Sequence, residues 1–185
     1  MERLETRIDG PILVKPTVHG DERGFFSETY RRSVFADLGI PEEFVQDNHS
    51  RSGRGIVRGM HFQTDMAKLV RCGRGTILDA VVDLRRGSPT FGESELVELS
   101  DENMHQLYCP IGFAHGFCVT SEYADVMYKC SAYYDESIER GIKYDDPDVG
   151  IEWPSGIELK PSQRDATAPL LRDVEDELPF VYQDR

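Results

Sequence analysis

Several polar side chains fall inside otherwise apolar runs: His61, Gln63, Lys68, Asp83, His115, Tyr128 and Lys129. An imidazole, an ammonium and a phenol gathered in one place can remove a proton from carbon beside a carbonyl. A base takes the proton, a cation stabilises the enolate oxygen, and an acid returns a proton. The same residue types also serve as hydrogen-bonded core groups, so their presence alone leaves both readings open. A metal centre is a third reading, since two or three imidazoles plus a carboxylate can converge on one ion in a small β-barrel. The position two after His61 is Gln63, which removes the most economical same-face pair of ligands and leaves His61, His115 and Asp83 as the conceivable set. Among the arginines, Arg58 suits a diphosphate best, because its planar fork matches phosphate oxygens and it shares a strand-like run with His61. Phe26 and Tyr134 could stack on a base or belong to a core. Neither a Walker loop nor GxGxxG after a strand occurs, so any phosphate would be held by side chains.

These groups need elements to hold them. Short runs rich in Val, Ile, Phe and Tyr, separated by Gly and Pro, predict many antiparallel strands: 12–16, 25–30, 43–50, 55–62, 68–74, 76–84, 95–99, 105–109, 117–121 and 124–133. The expected fold is all-β, a barrel or double-sheet sandwich with few short helices. One helix is expected, Arg32 to Leu38, closed by Gly39 at the left-handed cap position with Pro41 beyond. Strict alternation along 57–63 puts His61 and Gln63 on one face and Arg58, Met60 and Phe62 on the other. In 77–83, Asp79 and Asp83 share the face of Ile77 and Val81, so each carboxylate needs a partner if that face is interior.

Composition bounds the rest. The 185 residues are 39% apolar, 30% charged and 10% aromatic, enough to bury a full core, and no linker divides them. A single domain over residues 1–185 is expected, with an acidic tail from Arg172 to Arg185. The formal charge of −13 argues against nucleic acid or an anionic membrane as partner, so an anionic ligand needs a local basic pocket. No run approaches the roughly 20 apolar residues of a membrane span, and the start lacks a signal-like apolar stretch, so a cytoplasmic location is expected. Cys72, Cys109, Cys118 and Cys130 form no CxxC pair and read as buried free thiols.

Eight ordered strings carry a resemblance: Asp21-Glu-Arg-Gly-Phe-Phe-Ser-Glu28, Phe44-Val-Gln-Asp-Asn-His-Ser50, Gly55-Ile-Val-Arg-Gly-Met-His-Phe-Gln63, Lys68-Leu-Val-Arg71, Val82-Asp-Leu-Arg-Arg-Gly-Ser-Pro-Thr-Phe-Gly92, Pro110-Ile-Gly-Phe-Ala-His-Gly-Phe117, Tyr128-Lys-Cys-Ser-Ala-Tyr-Tyr134 and Asp145-Asp-Pro-Asp-Val-Gly-Ile-Glu-Trp-Pro154. From about Gly10 to Pro169 the chain resembles the dTDP-4-dehydrorhamnose 3,5-epimerases of the cupin superfamily. The resemblance implies a double-stranded β-helix, or cupin jelly-roll barrel, and a homodimer with no metal and no cofactor. It implies inversion at C3, C5 or both of a dTDP-linked 4-keto-6-deoxyhexose, in deoxysugar biosynthesis of the dTDP-L-rhamnose type.

By that resemblance His61 is the base, Asp165 the carboxylate that orients it, Lys68 the cation beside the enolate oxygen and Tyr128 the proton donor on the opposite face. Arg23, Phe26 and Glu28 would reach the nucleotide from the partner subunit. Gln46, Asn48 and Arg58 would hold sugar and diphosphate, Tyr134 would line the same groove, and His115 would form a supporting pair with Asp83. Only Thr64-Asp-Met-Ala67 separates Gln63 from Lys68, shorter than the usual family loop, which leaves inversion at one carbon or another nucleotide-linked 4-ketosugar open. A metal-dependent cupin enzyme and a non-catalytic sugar-nucleotide binder are the remaining alternatives.

Overall fold

Runs of β-branched and aromatic residues between Gly and Pro breaks become the strands of a computed structural model describing residues 1–183. In chain order they are β1 (Glu2–Leu4), β2 (Ile12–Lys15), β3 (Val18–Asp21), β4 (Gly24–Ser27), β5 (Gln46–Gly53), β6 (Val57–Phe62) and β7 (Lys68–Arg74). There follow β8 (Thr76–Asp83), β9 (Ser94–Ser100), β10 (Gln106–Cys109), β11 (Phe113–Val119), β12 (Tyr123–Cys130) and β13 (Arg140–Gly141). Short helices are α1 (Arg32–Asp37), α2 (Gln163–Ala166) and α3 (Leu171–Val174). Gly39 takes a φ of +95° just after α1, as its cap position predicts.

One sheet runs β1-β2-β10-β7-β12-β5 and the other β13-β6-β11-β8-β9, with β3 and β4 forming a separate two-stranded hairpin. Neighbouring strands pair antiparallel throughout the named sheets. Between the two sheets Val70, Cys72, Leu107 and Val126 from one meet Ile77, Val81, Phe113 and Phe117 from the other. Each fully buried aliphatic side chain in that layer contributes roughly 1.5–3 kcal/mol. The outer face of the second sheet is covered as well: Met60, Phe62, Ala80 and Val82 pack against Leu171, Leu178 and Phe180. The acidic ending is therefore anchored by its apolar residues, and Arg85 lies over the rings of both Phe113 and Tyr182. Residues 184–185 of the expected tail lie outside the described residues. On the first sheet, Phe35 and Ile40 cover Ile12, Val14 and Leu69. All four cysteines are free and buried.

Strict alternation fails in β6. His115 pairs with His61 and Phe117 with Arg58, so Gly59 and Met60 oppose the single residue Gly116. This bulge turns Arg58 back onto the inward face that His61 occupies. Glycine is required on both strands: a Cβ at Gly59 would stand 2.5 Å from the Gly116 Cα, and one at Gly116 would stand 2.6 Å from the Met60 Sδ. In β8 the expected parity holds, and both Asp79 and Asp83 are fully buried on the inward face.

Asp83 ends β8 as a fully buried acceptor for the Arg85 side chain, the Ser88 and Thr90 hydroxyls and the Arg85 backbone N–H. Burial opposes its charge, yet those hydrogen bonds outweigh it and its pKa is lowered. Its contribution to stability is therefore complete above the unfolded carboxylate value of about 3.9 and is lost as pH falls through the lower folded value. Asp83→Ala strands the Arg85 charge and is expected to cost about 3–5 kcal/mol in urea denaturation at neutral pH, whereas a loss under about 1 kcal/mol would contradict this assignment.

Candidate active site

Inward-facing positions of six strands carry the polar groups. His61 and Arg58 come from β6, His115 from β11 and Asp79 from β8, all on the second sheet. Facing them on the first sheet are Lys68 on β7, Tyr128 on β12, and Gln46 and Asn48 on β5. There the register sets Tyr128 opposite both Asn48 and Val70, and Cys130 opposite both Gln46 and Lys68. Tyr128 packs against the inter-sheet apolar layer. Arg58 spans the gap, its Nε donating to the Ser52 Oγ at 3.1 Å.

A short polar contact joins His61 Nε2 to Asp165 Oδ1 at 2.6 Å. A carboxylate can only accept, so Nε2 carries the proton and Nδ1 presents its lone pair. Asp165 sits in the first turn of α2, where its backbone N–H donates to the N-cap Ser162 Oγ, and its Oδ2 accepts from the Gly59 N–H. Burial works against the charge on Asp165, but the hydrogen bonds it accepts, first from His61 and then from the Gly59 N–H, outweigh it and lower its pKa. The dyad thus pairs an ionised carboxylate with an imidazole of fixed tautomer. His61 keeps a quarter of its side chain open to the surface, while Asp165 is buried. The groove beside it, about 660 Å³, is lined among others by Glu139, Arg140, Arg164 and Pro169.

Lys68 is half-buried and makes no ion pair among the described residues. It lies within electrostatic reach of Cys109, whose thiol burial pushes up to about 12, and so does Asp79. The Tyr128 phenol is also pushed up, chiefly by burial, with the Cys130 and Glu139 charges adding to the effect and the Asn48 hydrogen bond and Arg58 charge opposing it. A phenol in that setting stays protonated at neutral pH and is available as a donor.

Three expected site residues are elsewhere within this chain. Arg23 and Phe26 lie on the exposed β3–β4 hairpin and Glu28 just after it; Arg23 pairs with Asp21 and Glu28 with Arg31. Phe26 is 70% exposed. One correction concerns His115. Its partner is Asp79, 2.8 Å from Nε2, and not Asp83. The β8–β11 register sets His115 opposite Val81, diagonal to both carboxylates, and Asp83 is already taken by Arg85, Ser88 and Thr90.

Sequence reasoning missed Glu139 and Arg164. Arg164 precedes Asp165 on α2 and pairs with Glu139 at 2.6 Å, and Glu139 also accepts from the Tyr134 hydroxyl at 3.2 Å. Arg164 could have been noticed as the neighbour of Asp165 in Ser162-Gln-Arg-Asp165, whereas Glu139 sits in a loop with no local signal. Among the described residues no group of three or more His, Cys, Asp and Glu side chains gathers as a metal site.

Fold and site together define a cupin-type jelly-roll barrel whose interior carries the groups of acid–base chemistry rather than those of a phosphate loop or a disulfide. Residues 5–173 match the dTDP-4-dehydrorhamnose 3,5-epimerase family. The dTDP-4-dehydrorhamnose 3,5-epimerase of Salmonella typhimurium is 48% identical over 172 residues, covering 91% of this chain and 94% of that protein. A Legionella pneumophila dTDP-6-deoxy-D-glucose-3,5-epimerase, solved with dTDP-4-keto-L-rhamnose, superposes with a TM-score of 0.95 at 45% identity over 99% of both chains. A 3'-monoepimerase from Streptomyces bikiniensis, solved with dTDP-quinovose, gives a TM-score of 0.91 at 36% identity over 99% of this chain and 94% of that one. The chain belongs to the dTDP-4-dehydrorhamnose 3,5-epimerase family and is an epimerase.

Burial of Tyr128 is open to a direct check. Difference titration of wild type against Tyr128→Phe by ultraviolet absorbance should show this phenol ionising above the ordinary tyrosine value of about 10. Titration at or below that value would contradict the buried placement.

Proposed function

We propose that the chain epimerises a dTDP-linked 4-keto-6-deoxyhexose at C3 and C5, as a cytoplasmic homodimer of single-domain subunits that needs no cofactor. The observation that carries this reading is the 2.6 Å contact between His61 on one sheet and Asp165 on α2, with Tyr128 on the inward side of the other sheet. His61 Nδ1 takes the proton from the carbon beside the 4-keto group, and the electrons of that C–H bond move into the enolate. Lys68 stabilises the oxygen on which the negative charge develops, aided by His115, which Asp79 orients. Tyr128 then protonates the same carbon from the opposite face, which inverts it. The proton held by His61 leaves to solvent and the Tyr128 oxygen recovers one, so the cycle closes without any oxidant or reductant. The 4-keto group acidifies both C3 and C5, and one base can serve both.

Arg58 and Arg164 supply positive charge for a diphosphate in a chain whose formal charge is −13, with Gln46 and Asn48 at the sugar and Tyr134 at the base. The relatives solved with dTDP-sugars support that ligand class. The exposed hairpin supports a dimer: Phe25 and Phe26 are 65% and 70% exposed, and a second subunit would cover them while receiving Arg23, Phe26 and Glu28 at its own base site. Inversion at C3 alone is a second reading, favoured by the likeness to a 3'-monoepimerase.

Incubation with dTDP-4-keto-6-deoxyglucose in deuterium oxide should place deuterium at C3 and C5; label at C3 alone selects the second reading, and no label with any nucleotide 4-ketosugar contradicts both. Asp165→Asn removes the anion that supports the imidazolium and should slow the exchange roughly 100- to 10,000-fold with the fold intact. Exchange at the wild-type rate would remove Asp165 from the mechanism.

A further inference from the structure

We infer that Gln63 is a positioning residue for nucleotide binding: its carboxamide and that of Gln46 clamp the backbone of residues 133–135 and so fix the Tyr134 ring as the platform for the base. The inference builds on the assignment of Tyr134 to the base made above.

Gln63 directly follows β6, two residues after His61, and is 3% exposed. Its Oε1 accepts from the Asp135 N–H at 2.9 Å, while its Nε2 donates to the Tyr133 carbonyl at 3.0 Å and to Asp65 Oδ1 at 2.7 Å. From β5, Gln46 Oε1 accepts from the Tyr134 N–H at 3.0 Å, and the Gln46 Nε2 is held by Asn48. Three backbone groups on two consecutive peptide units, 133–134 and 134–135, are thus fixed by two side chains.

That segment needs such fixing. It follows the last residue of β12 and belongs to no strand or helix, so no ladder holds it. Tyr134 is half-exposed, its hydroxyl donating to Glu139, and without the clamp its ring would be ordered only when ligand arrives. Ordering a loop at the moment of binding costs affinity, and a platform ordered beforehand avoids that cost. A buried carboxamide with every partner in place is also hard to disturb, because breaking one bond leaves a desolvated donor or acceptor unpaired. The short 64–67 loop takes part: it brings Asp65 to the Gln63 amide, and the Ala67 N–H is held by Ser131 Oγ at 2.8 Å. Loop length and platform position are therefore mechanically linked.

The experiment is calorimetric binding of two probes, dTDP and inorganic pyrophosphate, to wild type, Gln63→Glu, Gln63→Leu, Tyr134→Ala and the Gln63→Leu/Tyr134→Ala pair. Gln63→Glu keeps the acceptor for Asp135 but turns a carboxylate on the Tyr133 carbonyl and Asp65. Both Gln63 variants should weaken dTDP about tenfold, the lower range of what one stacked base contributes, and leave pyrophosphate affinity unchanged. The double variant should bind dTDP no more weakly than Tyr134→Ala alone. Equal weakening of both probes, or additive losses in the double variant, would reduce Gln63 to a general structural residue and overturn the inference. If Gln63→Leu fails to fold, Gln63→Glu carries the same comparison. A Tyr134→Ala variant with wild-type dTDP affinity would overturn the platform and the clamp together. Because no turnover is read, this outcome is independent of the exchange assay that tests the reaction.

Discussion

The hydrogen bond between His61 and Asp165 joins residues 104 positions apart in the chain, and the site is assembled only when both ends of the domain are in place. Asp165 arrives on a single-turn helix whose orientation is set by a serine cap behind it and by the Arg164–Glu139 ion pair beside it. His61 arrives on a strand that must bulge, because only then does Arg58 share its face. Two glycines facing each other across β6 and β11 make that bulge possible: a side chain at either would collide with the opposite strand. A backbone constraint with no chemistry of its own thereby sets where the His61 imidazole and the Arg58 guanidinium stand.

β8 and β11 are buried on both faces almost throughout, which is why they read as nearly continuous apolar runs and why polar residues within them are conspicuous. The proposed reaction uses an imidazole and a phenol placed on different sheets, so that the two faces of a sugar ring are addressed from opposite sides. A single sheet could gather the same side chains but would present them from one side. The low-dielectric interior strengthens the dyad, holds Tyr128 in its protonated form and leaves Lys68 without a counter-ion among the described residues, available to an oxygen that gains charge.

Much of this was legible in the amino-acid sequence. β7 occupies the expected residues, the helix at Arg32 ends one residue before expected at the foreseen Gly39 cap, and alternation put Asp79 and Asp83 on the face of Ile77 and Val81, which is the buried one. What failed did so for physical reasons. Alternation assigns faces only along an unbroken ladder, so the bulge at Gly59 inverted the face of Arg58. Asp79 and Asp83 are equivalent by parity, and only the Arg85, Ser88 and Thr90 hydrogen bonds decide which of them is left for His115. The strand Val18–Asp21 is exposed at every position and offers no apolar pattern to read. Glu139 meets Arg164 across the fold, a distance that no local spacing encodes. Asp165 was reached through family resemblance, since residue types alone gave no reason to link it to His61.

The central claim is that proton removal and proton return come from opposite sides, from His61 and Tyr128. Its most direct test is Tyr128→Phe in deuterium oxide with dTDP-4-keto-6-deoxyglucose, following label and configuration in the same sample. Two-sided chemistry predicts recovered sugar that carries deuterium at the exchanging carbon with its original configuration, because His61 still removes and returns a proton on its own face. Labelling and inversion that decline in parallel, or inversion that persists at the wild-type rate, would contradict it.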